Sequence, residues 1–200
     1  MTSLAFRSFS ISSEPEILDD VLKPDRNLAV WKRDNNSGFD AVLDNAPTDF
    51  RFTAPKSHLP DLLPSKMDAH GFVRSATRTA FEADIIGLAT RYCTLLSLNE
   101  LEVRLELVTT NSCRKWHSDY VRARLISTYV GQGTQWLDGS DAIRVKQGLD
   151  PIHVHSMKAG DVGIFKGKLA TNTPAIHRSP PIGGSGETRL LLVLNPPEER

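Results

Sequence analysis

The half of the chain beyond Asn111 is cut by glycines and other turn residues into short apolar segments, and this punctuation constrains the fold more than any other feature. "RARLISTYV", "VGIFKG" and "TRLLLVLN" read as strands, the last nearly continuous in its apolar character. "RVKQGLDPIHVHSM" reads as a loop and a strand, "GQGTQWLDGSD" as a turn-bearing link, and "KAGD" and "GGSGE" as turns. Short strands at such regular spacing point to a β-sandwich or small barrel.

Ahead of that region the periodicity changes. From Ser75, the residues Phe81, Ile85, Leu88, Tyr92, Leu95 and Leu96 recur at spacings of three and four, the stripe of an amphipathic helix ending near Leu98. "LEVRLELV" then alternates strictly, with Leu101, Val103, Leu105 and Leu107 on one face and Glu102, Arg104 and Glu106 on the other: a half-buried strand. In the first 74 residues, "SSEPEILDDVLK" predicts a short helix with Ser13 as N-cap and Pro15 in its first turn. "NLAVWKR" and "DFRFTAP" read as extended, and "KSHLPDLLPSKMDAHG" as loop with about one helical turn. The expectation is an α+β chain forming a single domain over 1–200. Residues 1–74 form an elaboration, 75–99 a supporting helix and 100–197 the β core, with helices packed outside it.

With 200 residues the chain is long enough to bury a core without disulfides or metal staples. Lys plus Arg and Asp plus Glu both number 24, so no nucleic-acid footprint and no attraction to an anionic membrane is implied. Cys93 and Cys113 form no CxxC motif and read as buried thiols of a reducing compartment. No stretch approaches the roughly eighteen apolar residues of a membrane span. "MTSLAFRSFSISSEPEILDD" lacks the pattern of a secretory signal, and the expected location is the cytoplasm.

The chemistry-bearing residues begin in "CRKWHSDYVRARL", where His117 and Asp119 stand two apart ahead of a strand. On a strand, such residues share a face. Imidazole nitrogen and carboxylate oxygen together suit Fe(II), Mn or Zn, and a second histidine completes a 2-His-1-carboxylate triad with open positions. His177, ahead of the last strand, is the candidate for that histidine. Arg189 then opens the apolar run "RLLLVLN". A lone arginine entering such a strand needs an anionic partner, and a carboxylate held bidentately is the best one.

The order of these elements, with "AGDVGIFKG" and "AIHRSPPIGGSGETRLLLVLN", resembles the Fe(II)/2-oxoglutarate-dependent dioxygenases over Leu101 to Asn195, in particular their prolyl-hydroxylase and AlkB-like branches. The resemblance implies a double-stranded β-helix (jelly-roll) core, with iron held by His117, Asp119 and His177. It also implies 2-oxoglutarate chelating that iron, its distal carboxylate on Arg189 and a hydrogen bond from Tyr129 or Arg124. The activity implied is oxidation of a small-molecule or peptide substrate while 2-oxoglutarate becomes succinate. The pattern departs from many members in placing Leu-Leu after Arg189, where they carry R-x-S or R-x-T, so a second hydroxyl contact falls to Thr188 or Thr134. The whole chain, "WHSDYVRARLISTYVGQGTQWL" above all, also resembles an uncharacterised bacterial domain family often encoded beside CobW-type, zinc-linked GTPases. That implies a link to metal homeostasis.

A second reading stays open beside the first. His153 and His155 in "HVHSM" share a strand face and, pointing inward with His177, would bind Zn in a cupin-like accessory protein without oxidative chemistry. A third is a degenerate β-helix scaffold that binds a partner. Trp116 and Trp136 read as core residues or pocket walls. Gly131 and Gly133 serve a hairpin backbone, since "GQGTQW" lacks the ending of a phosphate loop. His58 and His70 read as surface residues.

Overall fold

In a computed structural model describing residues 8–33 and 38–197, two β-sheets stack beside a layer of helices. The strands are β1 (Phe9–Ser12), β2 (Leu28–Trp31), β3 (Phe50–Pro55), β4 (Glu100–Val108), β5 (Ala123–Val130), β6 (Gln135–Trp136), β7 (His155–Ser156), β8 (Val162–Lys166), β9 (His177–Arg178) and β10 (Arg189–Asn195). The helices are α1 (Leu59–Ala69), α2 (Ala76–Leu96) and α3 (Gly139–Lys146). The large sheet runs β1-β2-β8-β5-β10-β4-β3 and the small one β7-β6-β9. A bridge from His117 to His177 adds a fourth position to the small sheet. From β4 onward the chain crosses between the two: β4 large, His117 small, β5 large, β6 and β7 small, β8 large, β9 small, β10 large.

Both faces of the large sheet are covered. Leu190, Leu192 and Leu194 of β10, with Leu125 and Tyr129 of β5 and Leu101, Val103 and Leu105 of β4, pack with the apolar stripes of α1 and α2. The alternate residues Leu191, Val193, Ile126 and Phe165 pack with Trp136, Met157 and Ala175 in the space between the sheets. The same parity sends Arg124, Thr128, Arg189 and Asn195 into that inner space, because residues two apart on a strand share a face.

The long helix follows its sequence pattern. Ser75 caps α2, its hydroxyl accepting from the Arg78 amide at 3.0 Å, and Ser97 ends it in a left-handed turn. Phe81, Ile85 and Tyr92 are fully buried on one stripe, each contributing about 1.5–3 kcal/mol. Tyr92 also donates its hydroxyl to the Ala123 carbonyl at 2.8 Å, which pins the first residue of β5 just beyond Asp119.

Elsewhere the structure differs from the expectations. "PEILDDVL" forms a 3-10 helix whose N-cap is Glu14, not Ser13, and makes no side-chain cap. The stretch expected to be mostly loop is α1: Pro60 lies in the first turn, where its missing N–H has no partner to lose, and Leu59, Leu63 and Met67 bury one stripe. The link after β6 contains α3, capped by the Asp138 carboxylate accepting from the Asp141 amide at 2.9 Å. β1–β3 of the N-terminal region join the large sheet, so it extends beyond 100–197. Cys93 is buried, whereas Cys113 is exposed in a left-handed backbone turn. Residues 1–7 of the opening stretch lie outside the described residues. Among the described residues no helix is long and apolar enough to cross a membrane.

Candidate metal centre

His117 and His177 are backbone partners, each amide donating to the other's carbonyl at 3.0 and 2.9 Å. This antiparallel pair sends both rings inward, their centroids 4.6 Å apart. Asp119 follows in irregular backbone rather than on a strand, held where its carbonyl accepts from the Lys168 amide at 2.9 Å. One donor atom from each of His117, Asp119 and His177 lies within 4.8 Å of the other two, and among the described residues this trio is the group with metal-ligand spacing.

Ring orientation shows what the cluster is built to hold. His117 Nδ1 faces the Lys115 carbonyl at 2.8 Å and His177 Nδ1 faces the Ala175 carbonyl at 3.2 Å. A carbonyl can only accept, so both Nδ1 atoms carry a proton, and in the neutral form of each ring Nε2 is the nitrogen that presents a lone pair. His177 Nε2 lies 3.3 Å from Asp119 Oδ2, and His117 Nε2 lies 4.0 Å from Asp119 Oδ1. Asp119 Oδ2 is buried, and among the described residues its polar neighbour is His177 Nε2. Between a neutral His177 and an ionised Asp119 the facing lone pairs across 3.3 Å are relieved by a metal ion, as they are by a proton on Nε2. Two ligands at about 2.1 Å and right angles on one ion are about 3 Å apart, so the His177–Asp119 pair has the spacing of a coordinated pair. Both carbonyl-bound Nδ1–H groups are the outer contacts that orient metal-binding imidazoles. The donor set fits a divalent ion such as Fe(II), Mn(II) or Zn(II).

Electrostatics favour an ionised Asp119 and a neutral His117. Burial pushes the Asp119 carboxyl up, but the combined pull of His177, Arg124 and His117 is larger, and the net direction is down. Burial is also the main influence on His117, and it pushes the ring below its ordinary range, toward the neutral ligand form.

Arg124 has a different position from the one expected of a co-substrate contact. Its Nη1 donates to Asp119 Oδ1 at 2.5 Å and its Nε to Asn195 Oδ1 at 2.7 Å. It therefore fixes one carboxylate oxygen and leaves the other for a metal. Tyr129 is a correction. Its hydroxyl donates to Asp84 Oδ2 at 2.5 Å on the helix side, with Phe39 and Phe81 against the ring, so it faces away from the inner space.

Arg189 lies in the inner space and is 0% exposed. Its Nε donates to the Gln132 carbonyl at 2.6 Å and its Nη2 lies 3.5 Å from Thr128 Oγ1, while Nη1 has no partner. No carboxylate among the described residues pairs with it. Burial pushes its guanidinium down to about 10, against the pull of Glu187 and Glu106. Thr128, rather than Thr134 or Thr188, is the hydroxyl beside it. Gly131 makes room for the arginine: a Cβ there would stand 2.6 Å from the Thr188 carbonyl oxygen and 3.0 Å from Arg189 Cγ.

His153 and His155 do not join the ligands. His153 is on the surface, its ring 75% exposed and 3.7 Å from Asp141. His155 stacks on Trp136 at 5.2 Å, and Trp136 stands between it and His177 in the register of the small sheet. Trp136 is thus core, while Trp116 lies under the Arg178 guanidinium at 4.2 Å.

The fold and the site define an α+β protein with an inward-facing His–Asp–His cluster of metal-ligand geometry. The chain belongs to the family described as "Protein of unknown function (DUF1826)", whose model matches residues 12–195. No curated protein matches the chain. Among solved structures it is similar to FeII HppE, at 15% identity and TM-score 0.31 over 48% of this chain and 42% of that one. It is similar to a Pseudomonas putida prolyl-4-hydroxylase at 15% identity and TM-score 0.36, over 80% and 93%. Oxalate decarboxylase matches at 18% identity and TM-score 0.32, over 50% and 22%. The chain thus spans less than half the length of FeII HppE. With likenesses this low, the metal reading stands on donor geometry.

Proposed function

We propose that this protein is an Fe(II)- and 2-oxoglutarate-dependent oxygenase built on a double-stranded β-helix. The winding of the chain between two sheets supports the fold reading. The observation that carries the functional one is Arg189, a fully buried cation without a carboxylate, its Nη1 unpartnered, in the same inter-sheet space as the cluster. A buried guanidinium left in that state is costly, and a dicarboxylate entering the space would relieve it.

In this reading His117, Asp119 and His177 hold the iron, and Arg189 with Thr128 binds the distal carboxylate of 2-oxoglutarate. Iron and 2-oxoglutarate bound there would activate dioxygen, the oxidant, with one oxygen atom going to the succinate formed as carbon dioxide leaves and the other to the substrate. The chain's other residues position and exclude. Arg124 holds Asp119 Oδ1 so that Oδ2 points inward, and the Lys115 and Ala175 carbonyls keep both Nδ1 atoms protonated. Phe165, whose ring centroid is 4.7 Å from that of His177, and the apolar Ile126, Leu191 and Val193 keep the space dry.

Anaerobic titration with Fe(II) and 2-oxoglutarate tests the proposal. The expected result is a weak visible charge-transfer band that is lost in Asp119→Ala. Tight Zn(II) binding without any response to 2-oxoglutarate would select the zinc reading. Absence of metal binding would refute both.

A further inference from the structure

A cleft of about 550 Å³ opens beside the metal cluster, between β3, β4, the end of β10 and residues 120–124. Arg124 connects the two, lining the cleft while its guanidinium holds Asp119. In a chain whose 24 basic and 24 acidic residues balance, the described residues lining this cleft include four arginines (Arg51, Arg104, Arg122 and Arg124) and one carboxylate, Glu102. Glu102 is itself committed, accepting from Asn195 Nδ2 at 2.7 Å and lying 3.5 Å from Arg51 Nε. Arg104 pairs with Glu106. Arg122 is exposed and forms no ion pair among the described residues. With Arg124 on Asp119, Arg104 on Glu106 and Arg51 near Glu102, Arg122 carries the uncompensated charge, and low-dielectric walls focus its field on anions from solution.

The rim adds a second, independent feature. Tyr120 is 76% exposed and Leu169 45% exposed, both on the edge of this cleft. Large apolar side chains beside cationic ones suit a ligand with an anionic end and an apolar or aromatic body.

We infer that the cleft is the substrate site and that the substrate is a small organic anion, a carboxylate or phosphate, held by Arg122 and by the guanidinium N–H groups of Arg104 that Glu106 does not engage, with its body against Tyr120 and Leu169. The word substrate rests on the oxygenase reading; the anion site does not. The volume is that of a small-molecule pocket, and Arg124 links the anion to the metal ligand it faces. Binding of an anion next to Arg124 loosens the claim of that arginine on Asp119 Oδ1, so occupancy of the cleft registers at the cluster.

The test is a nuclear magnetic resonance titration of the full-length, metal-free chain with phenyl phosphate, benzoate and benzyl alcohol. The two anions are expected to shift the backbone signals of Tyr120 to Arg124 and the Arg122 and Arg124 side-chain N–H signals, with the neutral alcohol silent. Preference between phosphate and carboxylate identifies which anion the site takes. Arg122→Gln and Arg104→Gln, each losing one charged hydrogen bond, are expected to weaken the anions about tenfold. Unchanged affinity in both variants, or equal shifts with benzyl alcohol, would overturn the inference. Fe(II) and 2-oxoglutarate binding are measured in parallel by tryptophan fluorescence. Their loss with cleft binding intact refutes the oxygenase reading and leaves the anion site standing; their retention with no anion bound overturns the cleft alone.

Discussion

Replacing Arg189 with methionine separates a functional arginine from a structural one. Burial holds the guanidinium at about 10 against an ordinary value of 12.5, and at 1.36 kcal/mol per unit this is a penalty of about 3 kcal/mol on the charged form. The penalty is present throughout neutral pH, because the group stays charged until the pH passes about 10. Against it stand the bond to the Gln132 carbonyl at 2.6 Å and the marginal one to Thr128, together contributing about 1.5–3 kcal/mol. A methionine side chain fills similar space without charge, so Arg189→Met is expected to be as stable as the parent or up to about 2 kcal/mol more stable. Co-substrate binding moves the other way. Truncating one partner of a desolvated charge pair costs about 2–5 kcal/mol, which is at least about thirtyfold in the affinity of the anaerobic Fe(II)-loaded protein for 2-oxoglutarate. Urea unfolding and calorimetric titration supply the two numbers. A variant more than about 2 kcal/mol less stable than the parent, or one binding 2-oxoglutarate as tightly, would refute the reasoning, since either means Arg189 serves the fold.

Three further outcomes follow from the same contacts. Tyr129→Phe removes the hydroxyl that donates to Asp84, so it should cost about 1.5–3 kcal/mol in urea unfolding while leaving metal affinity unchanged. Gly131→Ala forces a Cβ to 2.6 Å from the Thr188 carbonyl oxygen at a φ of +80°, and should cost about 1–3 kcal/mol in thermal unfolding and weaken 2-oxoglutarate by displacing Arg189. Hydrogen bonds from Arg74 and then Arg78 hold the Asp68 carboxyl down at about 2, so its contribution is present above the ordinary value of 3.8 and lost as pH falls from there through about 2. Acid titration of Asp68→Asn, followed by circular dichroism, should therefore show a shallower loss of stability across that interval.

The His–Asp–His cluster and the buried arginine were legible because their signals are local. His117 and Asp119 stand two apart, and His177 and Arg189 flank a turn before an apolar strand. Tyr129 was misread for a physical reason. β5 is buried on both faces, Leu125 through Tyr129 without a break, so the period-two alternation that reports facing direction is absent. With no alternation, a shift of one residue sends every side chain to the opposite face, and Thr128 rather than Tyr129 stands beside Arg189. β4, polar on its inner face, kept its alternation and was read in the right phase. The prolines concealed α1, although Leu59, Leu63 and Met67 carried its stripe, and the pairing of β2 with β8 and β3 with β4 is a long-range register that no local pattern encodes.

The division of the large sheet explains how the chain sustains so many charges inside. On β10, the residues facing α1 and α2 are Leu190, Leu192 and Leu194, while those facing the inner space run from Arg189 through Leu191 and Val193 to Asn195. On β5 the inner series is Arg124, Ile126 and Thr128. Each strand therefore carries an apolar middle between polar ends on its inner face, Arg189 with Thr128 at one end and Arg124 with Asn195 at the other. The helix-side face has no such interruption among its leucines, and it supplies burial that offsets the cost of the unpartnered guanidinium. Because that burial lies on α1 and α2, substitutions on the inner face can alter the His–Asp–His cluster and the surroundings of Arg189 without removing what holds the sheet. The reverse also holds: Phe81→Ala or Ile85→Ala should cost about 2–5 kcal/mol in urea unfolding without any selective effect on the cluster.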